Sequence, residues 1–517
     1  MKGGFYRLSI LHFFICTIFV CPTPKKILQM KTLGLSLILL SAFIGTNAQN
    51  RIMVSLQNDL KGPYTGRLFV YTLKDTSKHF SMNFAEDEAA FSAEVFNWKN
   101  GQTIELPQYA IALNQRLPQL SSGYYKLIAI LDTNTRDRGI AAPGNLFTRQ
   151  EAILKVSEGK ENTVELMLSH VFPAKTFPEN DSIREVNFIS DLLSRFKGYP
   201  VTIKAAVILP PGYEREANNT YPVVYVIPGW GGTHYQALSA GARKIYGVGT
   251  GKNKIYVFLN PELQNAYGPH AFVDSRVNGP CGKALVEELM PYIQKTFRAS
   301  PDPRLNFLTG QSTGGYGAVW LALGYPEKFG GAWVTAPDPL DFSSFTGVDI
   351  YNDENYYTDS KGRERGINKV NGVFTSTLRK TFALEIFEAN GGQQQAFDAE
   401  FGPADINGRP LKLFDEITGK INKTVANSWR LYDMAFYAES YAETLKKIKF
   451  PVRIYVGSND NFLLNESALS FARKIKHLNL PIYVEEIPGA DHFQVRNVSV
   501  TRNIQTEIDQ LISMVKE

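Results

Sequence analysis

At 517 residues, with 44% hydrophobic and 20% charged residues, the chain has room for two folded cores and an ordinary globular composition. Its formal charge of +5 is spread without a Lys/Arg-rich block, and no zinc-finger, helix-turn-helix or double-stranded-RNA pattern accompanies it, so a nucleic-acid partner is not expected. Of three cysteines, Cys16 and Cys21 fall in the N-terminal leader described next, which leaves Cys281 alone; no intrachain disulfide, thiol redox pair or cysteine metal site can be built downstream.

In chain order the first predicted element is a leader, residues 1–48. Met30-Lys31, the apolar run Leu33 to Gly45 and the small-residue exit Thr46-Asn47-Ala48 have the three regions of a secretory signal peptide, so the mature chain is expected to begin near Gln49 and to be secreted or periplasmic. The earlier apolar run, Leu8 to Cys21, is short against the roughly 20 residues a membrane helix needs, which makes Met30 the expected start. The alternative is an anchor, or a lipid-modified Cys21. No stable membrane span is expected in the mature chain.

Residues 49–170 read as short strands between polar turns: Leu68 to Tyr71, Tyr124 to Leu131, Ile153 to Val156 and Val164 to Leu168, punctuated by Gly66, Gly101, Gly123 and Gly159. That spacing predicts an all-β sandwich of immunoglobulin-like type, without the Cys-Trp-Cys core that would specify it. Residues 171–200 read as a linker with one helical piece, Ile183 to Phe196.

From Val201 the rhythm changes to strands alternating with helices, the pattern of an α/β fold with a doubly wound, mostly parallel sheet. Val201 to Leu209, Val223 to Ile227 and Ile255 to Leu259 are strands, and Leu285, Leu289, Ile293 and Phe297 form one face of a helix. A short strand (Leu305, Phe307, Leu308) then enters Gly310-Gln311-Ser312-Thr313-Gly314, followed by a small-residue helix and the strand Ala332 to Val334. A G-x-S-x-G pentapeptide between strand and helix forces a turn so tight that only glycine two positions either side of the serine avoids collision, leaving the hydroxyl out of the sheet. Ser312 is therefore the candidate nucleophile. Residues 337–450 lack that regularity and are too long for a bare loop, so an inserted cap is expected, with helices near Val373 to Ala389 and Tyr432 to Ile448. The sheet resumes with Val452 to Val456, a helix from Glu466 to His477, the strand Ile482 to Ile487 and a final helix.

A serine hydroxyl at neutral pH needs an imidazole to take its proton and a carboxylate to fix that imidazole's tautomer. Of seven histidines only His477 and His492 follow Ser312, as the chain order serine, acid, histidine requires, and His492 lies in a loop just past the last strand. The acid is expected just past the strand Val452 to Val456, at Asp460, with Asp491 and Glu486 as alternatives. Backbone N–H groups of Thr313 and Trp230 are the expected oxyanion donors; Gly229 to Gly232 can also be read simply as a tight turn. His270 and Asp274 are candidate pocket residues. Gly247 to Lys252 fails as a phosphate loop, since the leading glycine and strand are missing and Asn253 replaces Ser or Thr, and no carboxylate–histidine cluster suggests a metal. No cofactor is expected.

These residues resemble the esterase branch of the α/β-hydrolase superfamily, with its esterase D-like, feruloyl esterase-like, enterochelin esterase-like and mycolyltransferase-like proteins. The resemblance covers about Val201 to Glu517. It rests on Pro228 to Gly232, Phe272 to Ser275 with Asn278-Gly279-Pro280, Glu287 to Tyr292, the turn around Ser312, Ala336 to Pro339, Gly457 to Leu463 and Asp491-His492-Phe493. One departure is Pro228-Gly229, where many relatives have His-Gly. The resemblance implies Ser312, Asp460 and His492 as a triad in a serine carboxylic-ester hydrolase, acting on acyl or feruloyl-type esters of carbohydrate. A siderophore trilactone, acyl transfer to a sugar, and a catalytically silent carbohydrate-binding protein are the alternatives.

Overall fold

Continuous apolar runs, buried at every position in Val223–Ile227 and Ile255–Leu259, build the centre of the sheet that carries the site. The computed structural model describes residues 49–516 apart from 81–86, 216–217, 264 and 266; the expected leader and Cys21 lie outside them. Eight strands form the central sheet: Ile183–Ser190 (β1), Val201–Ile208 (β2), Val223–Ile227 (β3), Ile255–Leu259 (β4), Asn306–Ser312 (β5), Gly331–Pro337 (β6), Val452–Gly457 (β7) and Ile482–Ile487 (β8). Their spatial order is β1-β2-β4-β3-β5-β6-β7-β8. β2 runs antiparallel to β1 and β4, and the pairs from β4 to β8 are all parallel. Val223, Tyr225 and Ile227 face one core, which holds the helices Met290–Thr296 and Thr313–Gly324 and much of the insertion. Val224 and Val226 face the other, where Val500, Ile504, Ile508 and Ile512 of the helix Val498–Lys516 repeat at helical spacing. Both faces are thus covered, as a parallel sheet requires.

The segment expected to be a helical linker is instead β1 followed by the short helix Asp191–Lys197. Ile183, Val186 and Ser190 are its buried positions, a spacing of three and four that imitates a helix. Ser190 caps the following helix, its Oγ accepting from Leu193 N at 3.1 Å, and Gly198 ends it at φ 77°.

Between β6 and β7 lies the predicted insertion. Its first helix begins at Leu378, not Val373: Gly366–Val370 and Val373–Thr377 pair as an antiparallel hairpin before the helix Leu378–Glu388. The second expected helix is two, Met434–Ser440 and Ala442–Leu445. The insertion hides carboxylates. Burial pushes Asp398 up to about 8, against hydrogen bonds from Leu413 N and Gln394, and pushes Glu385 up to about 7, against backbone donors of Gln395, Gln394 and Gln393. Carboxyls whose folded values lie above their unfolded ones near 4 contribute stability below those unfolded values, and lose it as pH rises through the folded ones. The melting temperature is therefore expected to fall between about pH 5 and pH 8, and Asp398→Asn or Glu385→Gln to flatten that slope, as calorimetry would show.

Upstream of β1, two sheets enclose a separate core. Asn50–Leu56 lies between Ile104–Glu105 and Asn162–Leu168 in one; Tyr64–Leu73, Ala90–Trp98 and Gly123–Asp132 are the long strands of the other. Ile52, Val54, Leu68, Val70, Leu127 and Leu166 fill the space between. This β unit docks on the insertion: Phe69 and Tyr71 pack edge-on against Phe387, and Asn390 Nδ2 donates to Asp132 Oδ2 at 2.7 Å. The described residues form one compact unit. Among the described residues no helix is long and apolar enough to cross a membrane.

Candidate active site

Steric demands fix the serine turn. Ser312 ends β5 at φ 56° and ψ −128°, a conformation that costs a non-glycine residue of order 1–3 kcal/mol. Its neighbours must be small: a Cβ on Gly310 would lie 2.2 Å from Gly314 O, and one on Gly314 would lie 1.9 Å from Ile227 O at the end of β3. The helix Thr313–Gly324 is buried almost all round, so it can lie flat between sheet and insertion. Ser312 itself is half-buried and reachable.

His492 and Asp460 come together. His492 Nδ1 is 3.0 Å from Asp460 Oδ2, and both side chains are buried. The other carboxylate oxygen of Asp460 accepts from Phe462 N at 2.9 Å and Leu464 N at 3.2 Å, which aims Oδ2 at the ring. The histidine loop is held from three sides: Gln311 Nε2 donates to His492 O, His492 N donates to Asn461 Oδ1, and Phe462 meets the imidazole edge-on. The rival acids are occupied elsewhere. Asp491 Oδ1 accepts from Phe493 N and Gln494 N within its own loop, and Glu486 is exposed on β8. His477 is exposed and bonds Lys474 O.

The turn after β3 closes on the serine, since a Cβ on Gly229 would lie 3.3 Å from Ser312 Cβ. That places residues 228–232 beside the N-terminus of the Thr313–Gly324 helix, whose first N–H groups have no acceptor within the helix. The indole of Trp230 is 42% exposed, with the Arg138 guanidinium 4.7 Å from its centroid. Arg138 comes from the β unit and is anchored by Glu262 Oε1 at 2.9 Å. The two candidate pocket residues are engaged in scaffold contacts. His270 is buried, its Nδ1 accepts from Phe272 N at 2.9 Å, and desolvation pulls its pKa down to about 3. Asp274 accepts from Lys283 N and from the Tyr325 hydroxyl, holding the helix that starts at Cys281. Nothing in these contacts brings either residue to Ser312.

Sequence reasoning missed a carboxylate. Asp338, one residue past β6, is buried and accepts from Ser312 Oγ at 3.2 Å through Oδ1, and from Thr313 Oγ1 at 2.6 Å through Oδ2. Gln393 Nε2, from the insertion, donates to the same Oδ2 at 3.2 Å. Among the described residues no hydrogen bond joins Ser312 to His492, so the resting hydroxyl points at Asp338. The signal was available, because Asp338 follows its strand as Asp460 follows β7.

Residues 199–492, more than half of the chain, match the Esterase family, described as "Putative esterase". The chain belongs to the Esterase family. Solved structures similar to this esterase include a ferulic acid esterase (13% identity, TM-score 0.40, 64% of this chain and 97% of that one). Others are FphF, a fluorophosphonate-binding serine hydrolase of Staphylococcus aureus (15%, TM-score 0.37, 64% and 98%), and an S-formylglutathione hydrolase from Agrobacterium tumefaciens (18%, TM-score 0.38, 64% and 95%). The family match is what identifies the protein as a carboxylic ester hydrolase with the α/β-hydrolase fold. Among the described residues no group of three or more His, Cys, Asp or Glu side chains could hold a metal ion.

Proposed function

We propose that this esterase works through an acyl-enzyme, with Ser312, His492 and Asp460 as its triad. The observation that carries this is the buried 3.0 Å pair of His492 Nδ1 and Asp460 Oδ2, just past the two strands that follow β6. An acid fixed on Nδ1 leaves Nε2 as the free lone pair of the imidazole, the atom that can accept a hydroxyl proton. In the first half-reaction Ser312 Oγ bonds to the ester carbonyl carbon, its proton passes to His492 Nε2, and the carbonyl electrons move onto oxygen beside the N–H groups of Thr313 and Trp230. Collapse breaks the bond to the leaving alcohol, which takes the proton from His492. Water repeats the sequence to release the acid.

For substrate, we infer acyl or feruloyl-type esters of carbohydrate. The part-exposed Trp230 in the turn after β3 supports this, since aromatic surfaces suit rings and sugars. Secretion or a periplasmic location rests on the leader in the sequence. The immunoglobulin-like assignment of residues 49–170 is supported by two facing sheets with a shared core. The test is product analysis on a feruloylated sugar, an enterochelin-like trilactone and a p-nitrophenyl ester, each with and without added sugar acceptor. Free acid from the first at the highest kcat/KM is expected; preference for the trilactone, or transfer to the acceptor in place of hydrolysis, would replace this reading.

A further inference from the structure

The strand order places five chemical groups in a row along the C-terminal edge of the sheet. The oxyanion turn follows β3, Ser312 ends β5, Asp338 follows β6, and Asp460 follows β7, with His492 in the loop after β8. Asp338 thus sits on the acid and base side of the serine, away from the side where oxyanion charge would develop. We propose that Asp338 is a positioning residue of the reaction: it receives the resting Ser312 hydroxyl and supplies a second carboxylate to the imidazolium that forms on His492. This rests on the assignment of Ser312 and His492 given above.

Three donors converge on the Asp338 carboxylate, from Ser312, Thr313 and Gln393, and they come from β5, the helix behind it and the insertion. A site built that way favours the anion. The ionisable groups facing it are His492 and Asp460 across the catalytic loops, and Glu400 from the insertion helix Gln393–Phe401. Glu400 is fully buried, and desolvation pushes its carboxyl well above the ordinary carboxylate range. Desolvation also pushes Asp338 up, to about 6, while the bonds from Thr313 and Ser312 and the attraction of His492 oppose that rise. At neutral pH Asp338 is mostly ionised, and it takes no proton in the cycle. When substrate arrives, the Ser312 hydroxyl turns from Asp338 Oδ1 towards His492 Nε2 and gives its proton there as the Oγ–carbon bond forms. The positive ring then lies between two carboxylates, Asp460 on Nδ1 and Asp338 beyond the serine.

The test is the pH profile of kcat/KM for a p-nitrophenyl ester with the chain purified as it is secreted or expressed. In Asp338→Asn, removing a nearby negative charge makes His492 harder to protonate, so the acidic midpoint moves down by about one unit and the plateau falls at least about tenfold. Gln393→Leu takes one donor from Asp338 and makes it easier to protonate, so less negative charge faces His492 on the acidic limb and the midpoint moves down, by less than in Asp338→Asn; this variant carries the test alone if Asp338→Asn does not fold. Unchanged midpoints in the folded variants, whatever happens to the plateau, would overturn the proposal and leave Asp338 a packing group. Failure of the triad itself would show differently, as a Ser312→Ala chain that keeps its activity.

Discussion

Ser312→Ala is expected to lower hydrolysis of p-nitrophenyl acetate by at least about 10⁴-fold while leaving the fold intact. Removing the hydroxyl deletes the atom that bonds to the acyl carbon, and no other hydroxyl shares its place: the Thr313 side chain is buried and bonded to Asp338. Stability should change little. The side chain gives up one hydrogen bond, worth about 1 kcal/mol, and alanine suffers the same positive φ as serine. Initial rates per mole of folded protein, with a thermal melt alongside, separate the two effects. Any residual acceleration over solvent would come from the oxyanion turn and substrate binding. A variant retaining a tenth of the activity would place the nucleophile elsewhere.

Asp460→Asn should be nearly as damaging, by about 10⁴-fold in kcat, for a reason visible in its hydrogen bonds. Asp460 Oδ1 accepts from two backbone N–H groups, Phe462 and Leu464, so an asparagine there keeps its oxygen on those donors and turns its amide nitrogen to His492. That nitrogen is a donor. It can be satisfied only if His492 Nδ1 carries the lone pair, which puts the proton on Nε2, where the serine proton has to go. The parallel variants Asp491→Asn and Glu486→Gln should remain within about tenfold of the parent, because neither carboxylate touches the ring. A loss confined to Asp491→Asn would reassign the acid.

Much of the proposed triad was legible because each of its members stands at or shortly after the end of a strand, and strand ends of a parallel sheet meet along one edge. Ser312 is singled out by its glycines together with the strand before and the helix after them, and His492 by the scarcity of histidines after Ser312 and its place past the last strand. Asp338 obeys the same rule, but the expected chemistry asks for one acid and Asp460 already supplies it. Gln393 and Arg138 had no comparable signal. They lie in irregular text, and only tertiary contacts, of Gln393 with Thr313 and of Arg138 with Trp230, single them out. His270 and Asp274 drew notice as polar residues near the resemblance, but their partners are a turn and a helix start. At Ile183–Ser190 the periodicity itself misled, because burial at 183, 186 and 190 follows helical spacing on an extended strand. The second strand of the hairpin, Val373–Thr377, occupies the start of the expected helix. That strand is largely solvent-facing and offers no apolar alternation, so only its β-branched Val373, Thr375 and Thr377 mark it.

The most direct measurement is peptide mass spectrometry of the esterase after reaction with a fluorophosphonate, which phosphonylates an activated serine and releases fluoride. The mass addition is expected on Ser312, at a rate that collapses in His492→Ala. An adduct on another residue, or an unmodified Ser312 in protein that still hydrolyses esters, would contradict the account.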